Sequence, residues 1–308
     1  MTAPTTTADP WPYVTDETGG EGWRLLLGDS CERLAEVDTD SVGLSVYSPP
    51  FASLFTYSPS ERDLGNARTR EEFLTHYGFI VRELLRATMP GRVTCVHVQQ
   101  VATTKAVEGH VGLTDFRGDV IRAYLAAGWH FHGEVTVDKD PQAQAIRTKA
   151  QALMFVTKNR DSAATRPALA DYLLIFRKPG VNPVPIKNDV TNDEWISWAR
   201  PVWLDIRETN TLNARLGREE ADERHIAPLQ LDFIARCIRL WSNPGELVVS
   251  PFAGIGSEGH EAIRLGRRFL GIELKPSYWA TAATTLRRAE ADASAPSLFD
   301  VDPDGGVS

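Results

Sequence analysis

Apolar positions along this chain follow two rhythms, short runs of strand length and longer segments with helical spacing. Trp23 to Leu27 is a short apolar run ending in Gly28-Asp29, and Val42 to Tyr47 is a second, closed by Ser48-Pro49-Pro50. Proline ends a strand there because it has no N–H to donate. From Glu71 to Met89 the apolar residues Phe73, Tyr77, Ile80, Val81, Leu84 and Leu85 mark one helical face, stopped by Pro90-Gly91. The same logic predicts strands at Arg92–Val98, Phe131–Val137, Tyr172–Phe176, Leu247–Val249 and Phe269–Ile272. It predicts helices at Phe116–Ala127, Pro228–Trp241, Gly256–Leu265 and Ser277–Arg288. Strands alternating with helices imply an α/β domain with a mostly parallel sheet. Residues 1 to about 20 are polar and Thr/Pro/Gly-rich, a loose arm, and 289–308 is an acidic tail expected to be disordered. Pro179 to Arg224 has little periodicity and is expected to be an insertion.

Composition is that of a globular protein, 308 residues with 42% hydrophobic and 24% charged. No run approaches the roughly 20 apolar residues of a membrane helix. The first ten residues lack a secretory pattern, and Cys31, Cys95 and Cys237 are isolated, which fits a reducing cytoplasm and gives no disulfide or metal framework. His130 and His132 lie close together without a third ligand nearby, so no metal is expected. The net charge of -8 argues against a nucleic-acid partner, but charge is uneven. Between Lys139 and Lys178 basic residues dominate (Lys139, Arg147, Lys149, Lys158, Arg160, Arg166, Arg177, Lys178), whereas acidic residues gather in the tail. A basic middle is compatible with DNA or with an ordinary solvated face.

Two motifs make chemical sense together. In Ser250-Pro251-Phe252-Ala253-Gly254-Ile255-Gly256-Ser257 the glycines remove Cβ atoms where backbone must approach a ligand. Glu273 ends the next strand, where a carboxylate can accept hydrogen bonds from both hydroxyls of a ribose. The glycines alone suit a structural turn, and Glu273 alone suits a helix entry beside Lys275. In Ser48-Pro49-Pro50-Phe51 the hydroxyl of Ser48 and the carbonyl of Pro49 offer two acceptors to the protons of an exocyclic amine. Such acceptors favour the pyramidal amine and free its lone pair. Phe51 offers a stacking face for a base rotated out of the duplex. Together the motifs point to methyl transfer from S-adenosylmethionine to an exocyclic amine of DNA. Methylation at cytosine C5 needs a thiolate in a Pro-Cys setting, and no cysteine here follows proline.

On these residues the chain resembles the DNA amino-methyltransferases (N4-cytosine or N6-adenine) in the β-group motif order, over about Trp23 to Arg288. Ser48 to Phe51 matches the catalytic S/D/N-P-P-Y/F motif, and Ser250 to Ser257 matches the D-P-F-x-G-x-G-[ST] cofactor motif. Gly271-Ile272-Glu273 matches the ribose-binding motif, Gly28-Asp29 the G-D before the catalytic strand, and His225-Ile226-Ala227-Pro228-Leu229 a segment bordering the methionine part of the cofactor. Asp171 to Lys178 resembles the family's E-x-I-L-x-F-x-K strand. Ser250 stands where the family usually carries Asp, and Ile226 where it carries Pro. The resemblance implies a Rossmann-like, circularly permuted methyltransferase domain over 21–288, with an antiparallel hairpin in its sheet. It implies Ser48, Pro49, Pro50 and Phe51 at the reacting base, and Asp29, His225, Ser250, Pro251, Phe252, Gly254, Gly256, Ser257 and Glu273 at S-adenosylmethionine. Serine at the first catalytic position is more usual among N4-cytosine enzymes.

A DNA-recognition insertion is expected at about 140–223, with Arg147, Lys149, Arg160 and Arg166 as contacts to double-stranded DNA, or as solvated loop charge. The resemblance leaves room for a homodimer and for a cognate restriction nuclease as partners. His97-Val98-Gln99-Gln100 ends a strand and either lines the crevice or caps its edge; Trp195, Trp198 and Trp203 favour core or interface over base stacking. Other uses of the same motifs are methylation of RNA or of protein glutamine, and a cofactor- and DNA-binding module without turnover.

Overall fold

The computed structural model describes residues 13–50, 62–67, 69–103, 109–142, 167–187, 189–212 and 228–295. The predicted apolar runs become strands of one sheet. In chain order the strands are β1 (Asp16–Gly20), β2 (Trp23–Leu27), β3 (Val42–Tyr47), β4 (Thr88–Gln99), β5 (Val101–Thr103) and β6 (Gly112–Thr114). They continue with β7 (His130–Val137), β8 (Asp171–Arg177), β9 (Val202–Trp203), β10 (Leu247–Ser250) and β11 (Arg268–Glu273). The helices are α1 (Ser30–Arg33), α2 (Arg70–Ala87), α3 (Phe116–Ala127), α4 (Asn192–Trp198), α5 (Leu231–Trp241), α6 (Ser257–Arg264) and α7 (Pro276–Ser294). The main sheet runs β1-β2-β11-β10-β3-β4-β8-β7-β9. From β2 to β4 neighbours are parallel, whereas β8 is antiparallel to both β4 and β7. This is the expected mostly parallel sheet with an antiparallel hairpin. Its permutation is visible at the centre, where β10 lies beside a strand some 200 residues earlier in the chain.

Strand alternation divides the core into two layers. Leu44, Val46, Val93, Cys95, Leu173, Val248 and Phe269 face α5, α6 and α7 through Phe233, Ile234, Ile238, Ala262, Ala282 and Leu286. Tyr47, Val96, Leu174, Val249 and Ile272 face α2 and α3 through Phe73, Tyr77, Leu84, Val120 and Tyr124. The central parallel strands are covered on both sides, which is why they read as nearly continuous apolar runs. In the second layer the hydroxyl of Tyr47 lies 2.8 Å from that of Tyr77 and 2.5 Å from that of Tyr124, so these buried polar groups satisfy one another.

Four expectations change. The arm yields a strand at its end, because Asp16–Gly20 pairs antiparallel with Trp23–Leu27. The C-terminal helix runs on to Ser294, into the stretch expected to be disordered. Pro90-Gly91 stops the helix but not the chain's pairing: both residues lie inside β4, at a register shift against β3. The supposedly aperiodic insertion contains α4, started by a capping box in which Thr191 and Glu194 bond each other's backbone N–H. It also contains β9, which extends the main sheet through Val202 and Trp203. Trp203 is core, Trp198 lies under the guanidinium groups of Arg236 and Arg239, and Trp195 is half exposed.

At the end of the sheet away from the strand carboxyl ends, the buried guanidinium of Arg92 in β4 bonds Glu246, just before β10. Glu246 also accepts from the N–H and the side-chain amide of Asn243, both at 2.8 Å. The pair bridges over β3 and ties its two neighbours. Removing the carboxylate leaves a buried cation alone, a loss of about 3–5 kcal/mol. Urea unfolding of Glu246→Ala should show a loss of that order. Arg92→Met should cost less, since Glu246 keeps its two Asn243 donors.

Candidate active site

Four neighbouring parallel strands, β2, β11, β10 and β3, end side by side and send their next residues into one cleft. β2 delivers Asp29, β11 delivers Glu273, β10 delivers Pro251 to Ser257, and β3 delivers Ser48, Pro49 and Pro50. The register Val249 to Ser45 sets the last two turns next to each other. The ring of Phe252, from one turn, packs 5.7 Å from the ring of Tyr47, at the base of the other. Carboxyl ends of strands are where open α/β sheets bind ligands.

The cradle half is stitched to the strand ends by backbone. Ala253 N–H donates to the Ile272 carbonyl at 2.8 Å, Gly28 N–H donates to the Glu273 carbonyl at 2.9 Å, and the Ser30 hydroxyl bonds the Pro251 carbonyl. Gly254 has φ +53, and a Cβ built there meets no atom within 4 Å. A side chain at that point would occupy the cleft, so its absence leaves room for a ligand. Gly256 (φ +93) plays another part: it starts α6 and abuts Ala282 of α7 rather than lining the cleft.

The electrostatics of this half favour a cation. Glu273 accepts the N–H groups of Gly254 at 2.8 Å and Lys275 at 2.9 Å, yet burial pushes its carboxyl up to about 7. Glu258, at the first turn of α6, is buried and pushed up to about 8, mainly by burial and further by the charge of Glu273. Asp29 and Asp63 also face the cleft, against Arg62 and Lys275. Asp29 caps α1 by accepting from Cys31 N–H at 2.9 Å and pairs with Arg62 at 3.3 Å. The donor set suits S-adenosylmethionine, with a carboxylate for ribose hydroxyls, an opening at Gly254, and negative groups for a sulfonium and an ammonium.

In the amine half, the Ser48 hydroxyl faces the cleft on one side and His97 on the other, 3.1 Å from Nδ1 and 3.3 Å from the His97 carbonyl. His97 lies in β4, near its end at Gln99.

The sequence-predicted site residues separate clearly. Asp29, Ser48, Pro49, Pro50, Pro251, Phe252, Gly254, Ser257 and Glu273 converge on the cleft. Ser250 lies under the cleft, fully buried, with a hydroxyl that has no partner. Phe51, His225, Arg147, Lys149, Arg160 and Arg166 lie outside the described residues, although Pro228 and Leu229, which follow His225, line the cleft. Of the basic stretch, three described members serve the protein itself. Lys139 is buried against Asp171, Lys178 pairs with Asp40, and Arg177 bonds the carbonyls of Gly91 and Gly180. Glu258 was not foreseen; directly after a helix-starting serine it looks like an ordinary first-turn carboxylate, and only its burial marks it out.

The fold is that of S-adenosylmethionine-dependent methyltransferases. A solved Thermus thermophilus protein described as a DNA modification methylase, complexed with S-adenosyl-L-methionine, superposes with a TM-score of 0.65 at 26% identity, covering 86% of this chain and 94% of that one. The cytosine-N4-specific PvuII DNA methyltransferase shares the fold, with a TM-score of 0.56 at 18% identity over 88% of this chain and 91% of that one. Type II methyltransferase M1.MboII of Moraxella bovis is 39% identical over 274 residues, 83% of this chain and 94% of that protein. The model of the N6/N4 DNA methylase family matches residues 42–284. The chain belongs to that DNA methylase family, whose methyl donor is S-adenosylmethionine. Among the described residues no helix is long and apolar enough to cross a membrane.

The two raised carboxyls give a signed pH effect. The folded protein keeps protons on Glu258 and Glu273 that the unfolded chain releases above its ordinary value of 4.5. Stability without cofactor therefore falls as pH rises from about 5 to about 8. Glu258→Gln removes one of these titrations. Thermal melts should show the variant gaining on the parent at pH 8 and matching it near pH 5.

Proposed function

We propose that this chain is a site-specific DNA methyltransferase acting on the exocyclic amine of a base rotated out of the duplex, cytosine N4 in preference to adenine N6. The observation that carries the proposal is the opening of the Ser48-Pro49-Pro50 turn and the Pro251–Ser257 cradle into one cleft from adjacent parallel strands. Bound S-adenosylmethionine supplies an electrophilic methyl group on its sulfonium. The chain's part is to hold the amine in line with it. The Ser48 hydroxyl and the Pro49 carbonyl accept hydrogen bonds from the two amine N–H groups, which localises the nitrogen lone pair toward the methyl. Phe51, next in the chain, is assigned the stacking face for the flipped base. The work is positioning and polarisation, and strong base chemistry is unnecessary because the methylated amine is acidic.

The preference for cytosine rests on Ser48, the residue more usual at that position among N4-cytosine enzymes. Recognition of sequence is assigned to about 140–223, with Arg147, Lys149, Arg160 and Arg166 toward phosphates and guanines. The type II designation of the Moraxella relative favours a restriction-modification role.

The test is methylation-sensitive long-read sequencing of DNA from a methylation-deficient host expressing the chain. The expected result is N4-methylcytosine in one motif, lost with Ser48→Ala, which should lower kcat on the order of 10²-fold while still binding S-adenosylmethionine. N6-methyladenine instead would overturn the base assignment alone. No modified DNA from soluble, cofactor-binding protein would overturn the DNA reading and turn the search to RNA and protein glutamine.

A further inference from the structure

Ser48 is the outer end of a buried polar chain. Beyond His97 Nδ1, His97 Nε2 lies 2.9 Å from Asp171 Oδ2, at the start of β8. Lys139 Nζ reaches the same oxygen at 2.7 Å, and Gln99 donates its side-chain amide to Asp171 Oδ1 at 2.9 Å. His97, Asp171 and Lys139 are only 8%, 4% and 5% exposed. The ring of Phe233 stands edge-on to the imidazole at 5.3 Å and fixes its plane. Burial alone would raise the Asp171 carboxyl, but His97 and Lys139 outweigh it and hold Asp171 below the usual carboxylate range.

A carboxylate only accepts hydrogen bonds, so an imidazole with a single ring hydrogen carries it on Nε2, toward Asp171. Nδ1 is then bare and can only accept. The Ser48 hydroxyl hydrogen must point to His97, at Nδ1 or at the carbonyl, and the serine lone pairs are left facing the cleft. A free hydroxyl would rotate and could offer its hydrogen to the amine, the wrong polarity for freeing a lone pair.

We propose that His97, set in its Nε2–H form by Asp171 with Lys139 as counterion, is a positioning residue that fixes the Ser48 hydroxyl as an acceptor toward the target amine. The proposal rests on the methyl-transfer role of Ser48. No bond is made or broken in the relay.

The test uses the full chain and pairs a structural readout with a kinetic one. Nitrogen-15 NMR of histidine-labelled protein without DNA should show His97 protonated at Nε2, with the Nδ1 resonance moving in Ser48→Ala. An Nδ1–H ring, or an Nδ1 signal indifferent to Ser48→Ala, would overturn the relay whether or not the protein methylates DNA. In steady-state methylation of duplex DNA, His97→Leu should lose about tenfold in kcat with KM for DNA unchanged. His97→Asn, whose Oδ1 takes the place of Nδ1 as acceptor, should recover most of that loss. Ser48→Ala should cost far less in the His97→Leu background than alone. Equal losses in Leu and Asn variants, additive with Ser48→Ala, would mean packing only and overturn the proposal. If His97→Leu fails to fold, Asp171→Asn substitutes for it: the His97 tautomers should mix, and an unchanged tautomer would remove Asp171 from the relay. Full methylation by Ser48→Ala would instead sink the role of Ser48 itself, an outcome the tautomer measurement does not share.

Discussion

The parallel pairing of β3 with β10 is the constraint on which the active site depends. Val248 and Val249 lie in register with Leu44 and Ser45, so two turns separated by about 200 residues of chain leave the sheet side by side. A parallel pair needs a crossover, and the chain between the two strands builds most of the molecule. The pairing is held from both ends. At one, Arg92 and Glu246 tie the flanking strands across β3; at the other, Phe252 packs on Tyr47. Between them, Leu44, Val46 and Val248 sit in one apolar layer, Tyr47 and Val249 in the other.

The cleft is electrostatically two-sided. Its cradle half gathers Asp29, Asp63, Glu258 and Glu273 with few cations, and burial makes two of these carboxyls reluctant to ionise. A cationic cofactor held there would relieve that cost, and the same groups that lower the stability of the empty protein at higher pH would then supply affinity. Ser250, where the family usually carries aspartate, is buried and silent beneath this cluster. Glu258 puts a carboxylate back within the same cradle, from the first turn of the following helix. At the Ser48 side a single hydroxyl is backed, through His97, by the buried Asp171 and Lys139.

The stretch from Pro179 onward shows how local signals are lost among loops. Thr191 to Glu194 is a capping-box sequence, legible once one looks for Ser or Thr followed three residues later by Glu. The two-residue strand β9 has no such signal, because its place is set by pairing with β7 and by burial of Trp203 in the core. Arg236 and Arg239 reach from α5 to Asp205, Asp189 and Glu194 and dock this segment on the main domain. Of the two basic positions at the ends of the cationic stretch, Lys139 is a buried counterion and Lys178 pairs with Asp40 at the surface, since charge along a chain does not say which side chains face water.

The sequence alone determined the alternation of strands and helices, most of the predicted element boundaries within a few residues, and the two motifs themselves. Each of these is local: a two-residue or helical period, a proline without an N–H, glycines at a tight approach, a hydroxyl beside a prolyl carbonyl. Only the tertiary structure decided which strands are neighbours, and therefore that Asp29, Ser48, Pro251 and Glu273 share one cleft. It also decided that Glu258 is buried and that His97, Asp171 and Lys139 line up behind Ser48. Burial and long-range hydrogen bonds depend on where the whole chain goes, and no window of residues along the sequence contains them.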